Sequence, residues 1–350
     1  MWSRIIRQVL ADDQAQLLRN PPAGGRADLR EAIAGHLRGF RGLEVDPEQI
    51  VVGAGTEYLY GLLVQLLGTD RPWAVEEPGY QKAELVYRGH GARCLRVPLD
   101  AEGLRADLLA ASDAGVVHVS PSHHFPTGRV MSAARRQELL RWAAAGERYI
   151  IEDDYDSEFR LAGRPIPALQ SLDTAGRVIY MNTFTKTLAS TIRVSYMVLP
   201  PALLRRYRER LSFYACTVSS IEQATLARFI AQGSFQRHLD RTRTAFRRKR
   251  ALLLEGLRRR LPPGLATVSG ETAGLHFLLT LATDRSDAEI LEAFARRGLR
   301  VAALSGFYHA GPAPAHVFVI NDSSVREEDV DRICQAMAEA MGEGPLCPLP

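Results

Sequence analysis

Over residues 50–181, short apolar runs rich in β-branched residues alternate with helix-length segments. That alternation confines the chain to a layered α/β fold. Ile50-Val51-Val52, Trp73-Ala74-Val75, residues 94–97, Val116–Val119, Tyr149-Ile150-Ile151 and residues 178–181 read as strands. Helices are expected over residues 57–67, after Pro78-Gly79-Tyr80, and over residues 132–144. A further helix is read over residues 27–40, where Leu29, Ile33 and Leu37 recur at helical spacing and Asp28 stands at a cap position. Strands separated by helices pair in parallel through right-handed crossovers. Such sheets collect ligands at the carboxyl ends of their strands.

The pattern changes after Leu203. Long helical stretches run to about residue 260, and Pro262-Pro263-Gly264 breaks the chain. Beyond the break, residues 276–281, 299–303 and 317–320 read as strands, with helices over 288–296 and 327–340. The expected organisation is a helical segment at 1–45 packing with the small domain, a large domain at 46–260, and a smaller α+β domain at 261–350.

The chain has 350 residues, 46% hydrophobic and 24% charged, enough apolar mass for a sizeable core. A net charge of +4 is modest and points to neither nucleic acid nor an anionic membrane. The basic run of Arg237-His238, Arg241, Arg243 and Arg247-Arg248-Lys249-Arg250 reads as the solvated face of an amphipathic helix, without a DNA-reading motif around it. Cys94, Cys216, Cys334 and Cys347 have neither ligand spacing nor a disulfide framework and read as reduced thiols. No leader and no bilayer-length apolar run is read, so the expectation is a cytoplasmic protein without a membrane partner.

Three strand ends could carry chemistry. At the first, Gly53-Ala54-Gly55-Thr56 joins a strand to a helix, so the backbone can approach an anion and the helix start offers free N–H groups. Taken alone, a tight turn with Thr56 as cap is the plainer account. At the second, Glu152-Asp153-Asp154-Tyr155-Asp156 gathers carboxylates at a buried strand end, which is costly unless a positive group is near. Helix caps and surface acids are the plainer account, and the residues alone do not choose between Asp153 and Asp154. At the third, Thr183-Phe184-Thr185-Lys186 follows a buried strand, where desolvation would make the amine a better nucleophile, and Arg193 lies within reach of a phosphate. A phosphate cradle, a carboxylate for a ring nitrogen and a lysine for an aldehyde together meet the demands of pyridoxal 5′-phosphate (PLP).

Several stretches make the sequence recognisable. They are Leu29-Arg30-Glu31-Ala32-Ile33, Glu77-Pro78-Gly79-Tyr80, Ser120-Pro121-Ser122-His123-His124-Phe125-Pro126-Thr127-Gly128, residues 150–159, Arg164-Pro165-Ile166-Pro167-Ala168-Leu169-Gln170 and residues 183–188. With them the chain resembles, over nearly its whole length, the aminotransferase-like domain of the MocR/GabR transcriptional regulators, a branch of the fold-type-I PLP proteins. The resemblance implies a large domain with a mostly parallel sheet flanked by helices and a smaller α+β C-terminal domain. It implies that Lys186 forms the internal aldimine, that Asp153 pairs with the pyridine nitrogen, and that Tyr155 hydrogen-bonds the phenolic oxygen. It implies further that Tyr80 packs on the ring, that Gly55, Thr56, Thr183 and Arg193 contact the phosphate, and that two copies form a homodimer.

The sequence departs from the family pattern in several places. No winged helix-turn-helix region precedes the matching stretch, so direct nucleic-acid binding by this chain is not expected. His124 replaces the usual glutamine and Thr185 the usual serine. No metal is expected at His123-His124, because adjacent residues make a poor ligand pair and no acid or cysteine is spaced to help. Lys82 stands where the best-known members have an arginine for a substrate carboxylate, keeping the charge but losing the two-pronged grip. Residues 314–322 hold no arginine of the kind that binds an amino-acid ligand. The functional expectation is an aminotransferase acting on a small amino compound. The alternative is an effector-sensing domain without turnover, and decarboxylation or racemisation would use the same constellation.

Overall fold

The computed structural model describes residues 1–12, 14–160 and 167–342. Arg164-Pro165-Ile166 and Cys347 lie outside the described residues.

The chain opens with helices α1 (Trp2–Asp12), α2 (Gln14–Leu17) and α3 (Ala27–Arg41). The expected cap at Asp28 lies two residues past the observed one. The N-cap is Arg26, and Asp28 sits in the first turn, where it pairs with the Arg26 guanidinium at 2.9 Å and complements the helix dipole. The large sheet is then laid down by β1 (Ile50–Gly53), α4 (Thr56–Leu67), β2 (Trp73–Glu77), α5 (Gln81–Gly89), β3 (Cys94–Asp100), β4 (Gly103–Leu104), α6 (Ala106–Ala110), β5 (Val116–Val119), α7 (Ala133–Ala144), β6 (Tyr149–Asp153), β7 (Val178–Thr183) and β8 (Ser195–Val198). Ser132 caps α7 by accepting from the Arg135 N–H at 3.2 Å.

The strand order is β1-β8-β7-β6-β5-β2-β3-β4. Pairing is parallel from β7 through β6, β5 and β2 to β3, as the strand–helix alternation requires. β8 was not legible as a strand. It follows β7 without an intervening helix, so it returns antiparallel and inserts between β7 and β1. The expectation of parallel pairing for residues 50–52 is corrected accordingly. Because β1 and β7 both oppose β8, their carboxyl ends still lie on one edge.

Successive strand residues face opposite sides. Val51, Ile151, Ile179, Met181 and Met197 pack under α4, α5 and α8 (Pro201–Arg210). Ile50, Val52, Tyr180 and Val198 pack under α1, α3 and α9 (Ser220–Ala231). The N-terminal helices therefore join the core of the large sheet. Ile5, Val9, Leu29 and Ile33 are apolar on the face that meets α9 and the sheet.

Helix α10 (Ser234–Arg260) bridges the two parts. Phe235 and Leu239 belong to the large core, and Leu253, Leu254 and Leu257 to the small one. The small sheet, in the order β11-β12-β10-β9, is built from β9 (Ala266–Ser269), β10 (His276–Leu281), β11 (Ala302–Ala303) and β12 (Val317–Asn321), covered by α11 (Asp287–Arg296) and α12 (Val330–Gly342). Of the strand expected over 299–303, only its last two residues pair. The basic run on α10 is not wholly solvated. Arg250 is buried and grips Asp322 with two bonds of 2.6 and 2.9 Å, and Lys249 donates to the Ser323 carbonyl. No helix among the described residues is long and apolar enough to cross a membrane.

Candidate active site

The site forms where β1 and β7 end and the antiparallel β8 begins, since Gly53 and Thr183 both register with Ser195. Gly55 follows with φ at 91°, and a Cβ there would stand 2.3 Å from the Arg193 Nη2, so glycine lets the guanidinium lie on the backbone. Gly55 caps α4 without a side chain, leaving the first N–H groups of the helix open. Thr183 Oγ1 accepts from Ser195 Oγ at 2.8 Å and donates to Thr185 Oγ1 at 2.9 Å. The fold thus sets Arg193 against Gly55 beside Thr56, with Thr183 on the same sheet edge across β8.

Lys186 lies in the turn beyond β7 and is exposed, with no hydrogen-bond or ion-pair partner among the described residues. The expected desolvation is not met: Phe184 and Thr185 separate the exposed lysine from the end of the buried strand. Tyr80, 45% exposed, meets Phe125 edge to face at 6.1 Å. Lys82 Nζ is 2.9 Å from Glu57 Oε1, and the other Glu57 oxygen binds Arg193. Burial would raise the Glu57 carboxyl, but the Lys82 hydrogen bond and the Arg193 charge outweigh it and hold the group below its ordinary value.

The adjacent acids separate cleanly. Asp154 Oδ2 accepts from Tyr180 at 2.6 Å and Ser157 at 2.8 Å, and pairs with the buried Arg41 at 3.0 Å. Asp153, 6% exposed, has no arginine or lysine partner among the described residues. Its Oδ2 accepts from Tyr60 at 2.6 Å and lies 3.4 Å from His118 Nε2, and its Oδ1 is buried without a hydrogen-bond partner. His118 Nδ1 is 2.7 Å from the Tyr87 hydroxyl. A ring nitrogen facing a carboxylate needs a proton, so the Nε2-protonated tautomer fits, with Tyr87 donating to Nδ1. Burial, reinforced by Asp153, pushes the Tyr60 phenol well above its ordinary value, which keeps it a donor.

Tyr155 is partly buried, and its hydroxyl is 3.4 Å from His123 Nδ1. That nitrogen is also 2.9 Å from Asp156 Oδ2, and the His276 ring lies tilted beside His123 with centroids 4.7 Å apart. The sequence offered His123 no helping acid; the fold supplies Asp156 and a second imidazole, with ligand atoms of all three within 4.8 Å. Burial and the neighbouring His123 lower His276 to about 3, so it is a neutral ring, and its Nε2 meets the Pro126 carbonyl at 3.1 Å. Gly274 is required beside this pair, since φ is 66° and a Cβ would overlap the His123 ring.

Tyr60, His118, Tyr87 and Glu57 were not singled out from the sequence. Thr56 and Tyr60 share one helix face at i, i+4, and that spacing was the one available signal.

These residues fit PLP on three counts. A buried carboxylate lacks a strong cation partner, a glycine leaves room at a helix start beside an arginine, and a free lysine amine stands on the same edge.

The family described as aminotransferase class I and II matches residues 2–337. The HTH-type transcriptional regulator YdeL of Bacillus subtilis is 36% identical over 94% of this chain and 71% of its own length. The protein named probable rhizopine catabolism regulatory protein MocR, of Rhizobium meliloti, is 33% identical over 89% of this chain and 63% of its own length. The structure of an archaeal alanine:glyoxylate aminotransferase superposes with a TM-score of 0.86 at 25% identity, covering 98% of this chain and 86% of that one. The chain therefore belongs to the class I and II aminotransferase family, in the branch of the MocR-type regulators.

Proposed function

We propose that this chain binds PLP through the Lys186 amine and acts on a small amino compound in the manner of an aminotransferase. When bound, PLP supplies an electron sink for a bond broken next to the amine. The observation that carries the reading is Asp153, a buried carboxylate with one open oxygen and no strong cation, held by Tyr60 and approached by His118. A protonated ring nitrogen would complete its electrostatics. Gly55, Thr56, Thr183 and Arg193 would hold the phosphate, Tyr80 would lie on the ring, and Tyr155 would donate to the phenolic oxygen. Lys186, once released, would move the substrate proton. Lys82 is the candidate for a substrate carboxylate. A homodimer, a cytoplasmic setting, and a division into a large domain at 46–260 and a small one at 261–350 belong to the same reading.

A second reading has its own support. The similarity to HTH-type regulators suggests a domain that binds PLP and an amine and shifts conformation without turnover. Visible absorbance with PLP, before and after a panel of amino acids, separates the two, with Lys186→Ala alongside. A Lys186-dependent band that bleaches as keto acid forms marks an aminotransferase. A band that shifts and persists marks a sensor. The absence of any Lys186-dependent band overturns both.

A further inference from the structure

The two cations at the start of α4 are already engaged by the chain itself. Glu57 sets one oxygen on Lys82 at 2.9 Å and the other on Arg193 Nη2. All three side chains sit at the rim, 30% exposed for Glu57, 47% for Arg193 and 55% for Lys82, so the pairs can exchange partners. Arg193 lies directly over Gly55, in contact distance of the open helix start. An incoming phosphate needs that guanidinium and carries the same sign of charge as Glu57.

We propose that Glu57 is a resident anion at the phosphate cradle, a carboxylate that competes with the ligand for Arg193 and Lys82 and so sets the affinity of the site for phosphate. The proposal rests on reading Gly55, Thr56 and Arg193 as that cradle. Its chemistry is a partner exchange. Phosphate takes Arg193, and Glu57 keeps Lys82, whose charge then offsets the repulsion between the two anions. Lys82 consequently serves first as the counter-ion of Glu57, and a substrate carboxylate reaching it meets the same competitor. The plainer account makes Glu57 a first-turn acid that complements the α4 dipole. That account leaves anion binding indifferent to its charge.

The test uses the full chain and two probes. Inorganic phosphate is titrated calorimetrically into the wild type, Glu57→Gln, Glu57→Ala, Arg193→Ala and the Glu57→Gln/Arg193→Ala double variant, and PLP is titrated in parallel by absorbance with pyridoxal as the phosphate-free control. Removing one like charge at this range is worth about tenfold in affinity. Both Glu57 variants are expected to bind phosphate and PLP about tenfold tighter, with pyridoxal unchanged and the gain lost in the double variant. Phosphate affinity that stays level or weakens in both Glu57 variants overturns the proposal, even if PLP forms its Lys186-dependent band. Tighter phosphate binding without such a band leaves this proposal standing and removes the PLP reading.

Discussion

Asp153 and Asp154 are neighbours in the chain, yet they leave the end of β6 on opposite faces of the large sheet and meet opposite company. On the α3 face, Asp154 is neutralised by Arg41, with Tyr180 and Ser157 on the same oxygen. On the α4 face, Asp153 receives one phenol and an imidazole, and no arginine or lysine among the described residues. Each keeps one buried oxygen without a hydrogen bond, so what separates them is the charge around the other. One face uses its acid to hold α3 to the sheet. The other keeps an anion electrostatically unfinished, which is what a cationic ligand atom requires. Pleating alone, with its period of two, divides structure from chemistry here.

The largest effect should come from the structural face. Asp154→Ala removes the carboxylate that pairs with buried Arg41, and breaking such a pair costs about 3–5 kcal/mol. Chemical denaturation should show a loss of that size. A loss below about 1 kcal/mol would mean that Arg41 relaxes to solvent and the two faces are less different than they look. Asp153→Asn should act the other way round. The amide still accepts from Tyr60, so stability should stay within about 1 kcal/mol of the wild type. PLP affinity should fall about ten- to a hundredfold, the value of one charge-assisted hydrogen bond. A variant that keeps wild-type PLP affinity would sink the assignment of Asp153.

The pH dependence sharpens the same contrast. Glu76, beyond the Asp153 face, is raised to about 8 by burial, with Asp153 adding to the shift. Its folded form holds a proton that the unfolded chain loses above about 4.5, so the fold binds more protons between those values. Stability from this group is therefore complete at low pH and declines as pH rises from about 4.5 to 8, by at most about 1.4 kcal/mol per pH unit. Buried His124, lowered to about 3, works in the opposite sense below pH 6.5. Glu76→Gln should remove most of the decline between about pH 7 and 8, above the ranges of His124 and of Glu152, which burial raises to about 7. An unchanged slope there would place the titration elsewhere.

Much of this was legible in the sequence, for reasons that also explain what was not. Val116–Val119 and His276–Leu281 were found with their observed bounds, because a buried run of β-branched and large apolar residues flanked by breakers has few other fates. The acid cluster at 152–156, Lys186 and Arg193 drew attention because they stand at or beyond the ends of strands, where α/β sheets place ligands, and the resemblance chose Asp153 over Asp154. β8 was missed because Ser195–Val198 is a short run with no helix before it. Tyr60, His118 and Tyr87 were missed for a different reason. Each looks like ordinary core in its own segment, and their meaning arises only where α4, β5 and α5 converge on Asp153. Local periodicity reports which residues are buried, and it is silent on which buried residues face one another.

The smallest predicted effect tests that convergence most directly. Tyr87 touches no proposed ligand; it fixes the His118 ring, which in turn faces Asp153. Tyr87→Phe removes a 2.7 Å hydrogen bond and should cost about 0.5–1.5 kcal/mol of stability. A purely structural role ends there. If Tyr87 also selects the tautomer, the freed Nδ1 can take the proton, and Nε2 then turns a lone pair toward the carboxylate. That would weaken the hold on the carboxylate, so PLP affinity should fall about two- to tenfold in Tyr87→Phe while the Lys186-dependent band at saturating PLP keeps its intensity. A stability loss with unchanged PLP affinity would confine Tyr87 to packing.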